Sequence, residues 1–339
     1  MTQKKTAERS DFVPKRLDLG RTRTYSARNR HNLVTIDNMA QPDTDPVPDW
    51  DCPEFDELID RIAEARSKGR PVVWFMGAHV IKSGLSRYLI QMMEKGVLTH
   101  IASNGAGSIH DFELAYLGGT SEYVPTAIED GSFGMWEETG AWMNRAIREG
   151  YRRGYGYGQS LASYVKENPE KFPHARDCVF YRAYEMGIPA TYHITIGTDI
   201  IDQHPMADFA ALGGGSGIDF SIFCHTISDL EGGVFLNVGS AVTGAEVFLK
   251  ALSICRNQGY SIKHITTANF DIIPLGDYRQ DFGKDRFQYY YRPLKNVVKR
   301  PNSLGGKGFY IQGNHKDTVP NLYDRILKRM NRDGKIAYD

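Results

Sequence analysis

From residue 54 onward the chain alternates between two hydrophobic periods, and that alternation leaves few folds open to it. "FDELIDRIAEARSKG" spaces its apolar residues as a helix does and stops at a glycine. "RPVVWFMGAHV" is an unbroken apolar run, the mark of a strand covered on both faces. "SGLSRYLIQMMEKGV" is a helix that opens at a serine, and "LTHIASNGAG" is the next strand and its turn. "GIPATYHITIGTD", "MADFAALGGGSGIDFSIFCHTISDL", "GGVFLNVGSAV", "GAEVFLKALSICRNQG" and "KHITTANFDII" continue the series. Strand, helix and strand in this order predict an α/β fold, a Rossmann-like parallel sheet with helices on both faces. Residues 54–339 are expected to form one α/β domain, with a helical insertion near 135–172 around a Gly/Tyr-rich break. Beyond 285 the strand signal is weak.

Residues 1–53 read as a polar N-terminal arm and linker. Residues 1–31 carry nine Lys or Arg against three acids, and residues 37–60 carry nine acids and no base. A basic strip beside an acidic one is expected to fold back or to pack on a neighbouring subunit rather than to bind nucleic acid. Over the whole chain 41 basic residues balance 41 acidic ones, so no global charge calls for nucleic acid or an acidic membrane surface. No apolar run reaches the roughly 18 residues of a membrane span, and no charged-then-apolar leader opens the chain. Cys52, Cys178, Cys224 and Cys255 are scattered without a CxxC, which fits free thiols and a cytoplasmic location. His193, His204 and His225 lack ligand-like spacing, so no metal is expected. The stretch "EDGSFGMWEETG" is expected to start a helix at Ser132.

In an open parallel sheet the ligand sits beyond the carboxyl ends of the strands. The loops expected there are "GAHVIKSG", "SNGAGSIHD", "TIGTDIIDQH", "NVGSAVTG" and "TTANFD". Nearly all combine Gly or Ala with Ser, Thr or Asn. Small residues let backbone N–H groups approach a pyrophosphate, and short polar side chains complete the contacts. Several such loops on one edge point to a dinucleotide. The GxGxxG fingerprint and its distal acid are absent, which excludes the ordinary Rossmann dehydrogenase pattern.

The same stretches, in this order, resemble deoxyhypusine synthase. "VIKSGL", "SNGAGSIHDF", "GIPATYHITIGTDIID", "FLNVGSAV", "ITTANFD" and "DFGKDR" are similar to six segments of that family and keep their sequence order across about residues 70–290. The resemblance implies NAD as cofactor and hydride removal from a spermidine-like polyamine. An aminobutyl-type group would then pass through a lysine imine to an amine acceptor, which is a protein lysine in one form of the reaction. By the same resemblance Lys284 is the catalytic lysine, and Asp202, Asp277 and Phe282 contact the cationic amine, with Asp271 a further candidate. Ser83, Asn104, Gly105, Gly107, Asp111, Asp199, Gly239, Ser240, Thr267 and Ala268 would contact NAD. A homo-oligomer, a tetramer by resemblance, would place sites between chains.

The departures are specific. A histidine the family holds after its Gly-Gly-Gly turn falls on Gly244, and the turn itself has become "VGS". The family's second-loop glutamate falls near His110, beside Asp111, and the aspartate opening its Asp-Gly-Ser loop falls on Gly197, two residues before Asp199. Two alternatives therefore stand beside the transferase: an NAD-dependent amine or imine oxidoreductase on the same scaffold, and a non-catalytic nucleotide-binding protein.

Overall fold

A computed structural model describes residues 13–332. Eight strands are present: β1 (Asn32–Thr35), β2 (Val72–Met76), β3 (His100–Asn104), β4 (Gly119–Glu122), β5 (Ala190–His193), β6 (Val234–Val238), β7 (Thr266–Asp271) and β8 (Lys307–Gln312). Six of them form one sheet in the order β5-β3-β2-β6-β7-β8, and every pair in it is parallel. The expected α/β class is what the structure has. The last strand, β8, follows the weakly patterned tail and was not legible there.

The two-residue period of the strands sorts the core into layers. On β2 and β6, Val72, Trp74, Met76, Val234, Leu236 and Val238 share one apolar cluster with the helices Phe55–Ser67, Ser86–Glu94 and His315–Arg332. Val73, Phe75 and Phe235 face the other way, against the helices Phe209–Ser228 and Thr243–Asn257. Both faces of the central strands are therefore covered, which is why their sequences are runs rather than alternations. The helices Glu137–Arg152 and Tyr157–Glu167 stay out of the sheet and close a third cluster around Phe112, Tyr157, Phe180 and Tyr192. The first of them begins after Trp136, not at Ser132, because Ser132 is held in a turn where its N–H donates to Asp130.

An exposed edge on β5 would invite pairing. Two side chains of Phe209–Ser228 cap it instead: Asp219 accepts the Tyr192 N–H at 2.7 Å and Ser216 accepts the Ile194 N–H at 3.1 Å.

The described part of the N-terminal arm folds back on the body. β1 pairs antiparallel with β4, and Tyr25 bridges Trp136 beside the helix Glu137–Arg152. Arg30 makes a two-pronged contact with Glu113, at 2.9 and 2.8 Å, while Thr120 and Thr139 donate to the same carboxylate. Both side chains are buried (4% and 1% exposed), so each compensates the other's lost hydration. Residues 1–12, which hold the start of the basic strip, lie outside the described residues. Replacing Arg30 with alanine should cost about 3–5 kcal/mol, because it strands a buried carboxylate. Urea unfolding checks this, and a loss below about 1 kcal/mol, the value of an exposed pair, would contradict the buried geometry.

Candidate functional site

The strand order fixes where a ligand can sit. The chain winds outward from β2 through β3 to β5, then returns to place β6 on the other side of β2 and continues to β7 and β8. The direction of winding reverses between β2 and β6, so their following loops part and open a crevice at the carboxyl edge.

Glycine makes this crevice narrow at its base. A methyl group on Gly77, after β2, would lie 2.2 Å from the carbonyl oxygen of Gly239, after β6. Gly239 has φ +64°, and a methyl group there would meet the ring of His315 at 2.4 Å. The Ser240 hydroxyl accepts the Gly244 N–H at 2.8 Å and so caps the start of the helix Thr243–Asn257. That helix, Gly105–Leu117 and His315–Arg332 all begin at this edge, each directly after a strand or its turn. Their first-turn N–H groups have no partner inside the helix, which gives the edge a partial positive character suited to phosphate oxygens.

Two acids modify that character. Asp199 lies against the start of Gly105–Leu117, where a methyl group on Gly105 would fall 1.9 Å from its carboxylate. Burial, with the neighbouring Asp202 adding repulsion, pushes the Asp199 carboxyl up to about 7. Asp202 is committed to shaping its own loop: it accepts the Gly197 N–H at 2.6 Å, and its carboxyl is likewise raised by burial. At the far side Asp271 ends β7, and its carboxylate accepts the Tyr291 hydroxyl and the Ile272 N–H.

The structure brings some of the expected residues to this edge and leaves others away from it. Asn104, Gly105, Gly107, Asp199, Gly239 and Ser240 stand on it, and Asn104 accepts the Gly107 N–H at 3.0 Å. Ser83 ends the short helix His79–Lys82 next to Gly84, whose carbonyl accepts the Ala40 N–H of the arm. Asp111 is fully buried and accepts the N–H groups of Val179 and Phe180, so it serves the start of the helix Val179–Glu185. Thr267 and Ala268 lie near the beginning of β7, about 13 and about 10 Å below its carboxyl end at 3.3 Å per residue, and both are buried. Thr267 donates to the Val297 carbonyl, a contact of the core.

Lys284 and Asp277 are exposed on the segment between β7 and β8. Asp277 accepts the Arg279 N–H in a local turn, and the Phe282 ring lies 5.3 Å from the Lys299 ammonium. The loops carrying Asp202 and Lys284 leave β5 and β7, four strand spacings apart, or about 19 Å. Gly77, His79 and His315 were not singled out from the sequence. Gly77 and His79 stand in the quoted "GAHV", but His315 follows a strand that the pattern did not reveal.

An apolar cavity of about 310 Å³ lies elsewhere, bordered by Phe180, Tyr184, Ile188 and Ala190 near the amino end of β5. It is bordered as well by Gly158 at the start of the helix Tyr157–Glu167, whose N–H is already taken by the Asp219 carboxylate. Among the described residues no group of acids, cysteines and histidines could hold a metal ion. No helix described is long and apolar enough to cross a membrane.

No protein-family model matches the chain, and no curated protein matches it in sequence. Among solved structures it is similar to a LOR/SDH protein from Methanococcus maripaludis S2 (TM-score 0.49, 15% identity, 85% of this chain and 74% of that one). It is also similar to a protein assigned as a deoxyhypusine synthase from Entamoeba histolytica (TM-score 0.48, 8% identity, 81% and 87%). A third is unliganded AgrE (TM-score 0.47, 15% identity), where the match covers 82% of this chain and only 32% of AgrE.

The raised Asp199 carboxyl has a stability consequence with a definite sign. Its folded pKa, about 7, lies above the ordinary aspartate value, so the folded state holds a proton that the unfolded chain releases. That contribution is fully present below the ordinary value of 3.8 and is lost as pH rises through about 7. Asp199→Asn, which mimics the protonated form, should raise stability at pH 8 by more than about 1 kcal/mol beyond its effect at pH 5. Urea unfolding at the two pH values checks this; an equal effect at both would contradict it.

Proposed function

We propose that this chain is an NAD-dependent enzyme acting on a small cationic amine. The observation that supports it best is the crevice between β2 and β6, where two glycine turns touch and the helices that follow β3 and β6 begin on either side. When bound, NAD supplies the hydride acceptor. The turn Gly239–Ser240 and the first turn of Thr243–Asn257 would hold its pyrophosphate through backbone N–H groups. Gly105 and Asn104, at the start of Gly105–Leu117, would hold its other end against Asp199. A carboxylate there repels a phosphate unless it is protonated, so Asp199 fits a ribose or amide contact better than a phosphate contact. The narrow base between Gly77 and Gly239 excludes water from the floor of the site.

The resemblance to deoxyhypusine synthase carries the finer reading, transfer of an aminobutyl-type group from a spermidine-like donor through Lys284. In this chain Lys284 is exposed. By the same resemblance a second copy, in a homo-oligomer, would share the site with it. The oxidoreductase reading needs no such partner, and the exposure of Lys284 favours keeping it.

The test is equilibrium NAD binding to the purified protein, followed by absorbance of reduced nicotinamide on adding spermidine. Saturable binding with an amine-dependent signal is expected, and no binding would overturn the proposal. Lys284→Ala then separates the two reactions. If Lys284 forms the imine, turnover falls by at least about 10²-fold; under the oxidoreductase reading it persists.

A further inference from the structure

His315 occupies a place that its packing alone does not explain. It opens the helix after β8, and its ring lies against the Gly239 turn of β6, with Gly239 Cα bare so that Nε2 can approach. The side chain is 6% exposed, yet its Nδ1 has no hydrogen-bond partner. A buried polar atom left in that state is destabilising, a cost that a leucine or phenylalanine would avoid. Over it stands His79 from the β2 loop, itself exposed, with ring centroids 6.3 Å apart. Asp271, half-buried at the end of β7, adjoins the turn before His315, its carbonyl accepting the Gly313 N–H at 3.0 Å, and its charge acts on the same ring. Three elements thus bring two imidazoles and a carboxylate to the point where the sheet reverses its winding.

We infer that His315, His79 and Asp271 form a subsite for the protonated amino group of a small amine, with the orphaned Nδ1 of His315 accepting one of its N–H bonds. The inference deepens the proposed function and rests on its reading of this edge as the place where an amine is handled. The chemistry selects the ligand. A carboxylate beside the His315 imidazole repels a phosphate and attracts a cation that can donate hydrogen bonds. Burial, reinforced by His79 and opposed by Asp271, holds His315 down at about 4. The ring is therefore neutral near pH 7 and keeps a lone pair for an N–H donor. Asp271 supplies the countercharge, and the Tyr291 hydroxyl donating to its carboxylate fixes its direction. Rotation of the exposed His79, a fast event for a surface side chain, is the movement that admits the ligand.

The probe is spermidine, titrated calorimetrically into the full-length protein with and without NAD. His315→Gln and Asp271→Asn should each weaken spermidine binding at least about tenfold, the loss of one charge-assisted or buried hydrogen bond. In wild-type protein carrying ¹⁵N-histidine, spermidine should move the His315 ring resonances, a readout that needs no variant to fold. Spermidine binding unaltered in both variants, or His315 resonances unmoved at saturating spermidine, overturns the subsite. Loss of NAD binding with spermidine binding intact would sink the dinucleotide reading and leave the subsite standing.

Discussion

The backbone contact between Gly77 and Gly239 is the constraint on which the candidate site depends. A side chain at Gly77 would push the two turns apart, since its first carbon would lie 2.2 Å from the Gly239 carbonyl oxygen, and one at Gly239 would strike the His315 ring at 2.4 Å. With the turns in contact, β2 and β6 keep their register to the last pair, Met76 with Val238, and the helix starts beyond them stand on one level. The same bare glycine at 239 admits the His315 ring. One steric requirement thus sets both the floor of the crevice and the group that faces it.

Protonation works on the other side of the site. The loop that follows β5 keeps two carboxyl groups close together and largely out of water, and it resolves the conflict by letting Asp199 hold its proton near neutrality while Asp202 binds backbone N–H groups. The arm is fastened by a different solution to the same problem. There Glu113 stays paired with Arg30 and accepts two hydroxyl hydrogen bonds. Burying a carboxyl is tolerable in either form, as an ion pair or with its proton held.

The fold was legible because β2, β6 and β7 are apolar runs whose period-two faces are both covered, and because amphipathic helices separate them. β8 was not, since its residues Lys307–Gln312 mix glycine and lysine with three apolar residues, and their burial comes from pairing with β7. Missing that strand also hid His315, which only the parallel pairing of β8 carries to the edge. Within the site, loop composition pointed correctly to Asn104, Gly105 and Gly239 as residues of the carboxyl edge. It could not tell the top of a strand from its bottom, so Thr267 and Ala268 were grouped with residues about four positions further on. Nor could it see that Asp111 serves the helix Val179–Glu185, since that helix start is remote in sequence.

The most direct test of the account is a crystal structure of the protein with NAD. The account predicts pyrophosphate density at the turn Gly239–Ser240 and the start of Thr243–Asn257, with the nicotinamide directed toward His79, His315 and Asp271. Dinucleotide in the apolar cavity beside Phe180 and Ile188, or phosphates on any face other than the carboxyl edge, would contradict it.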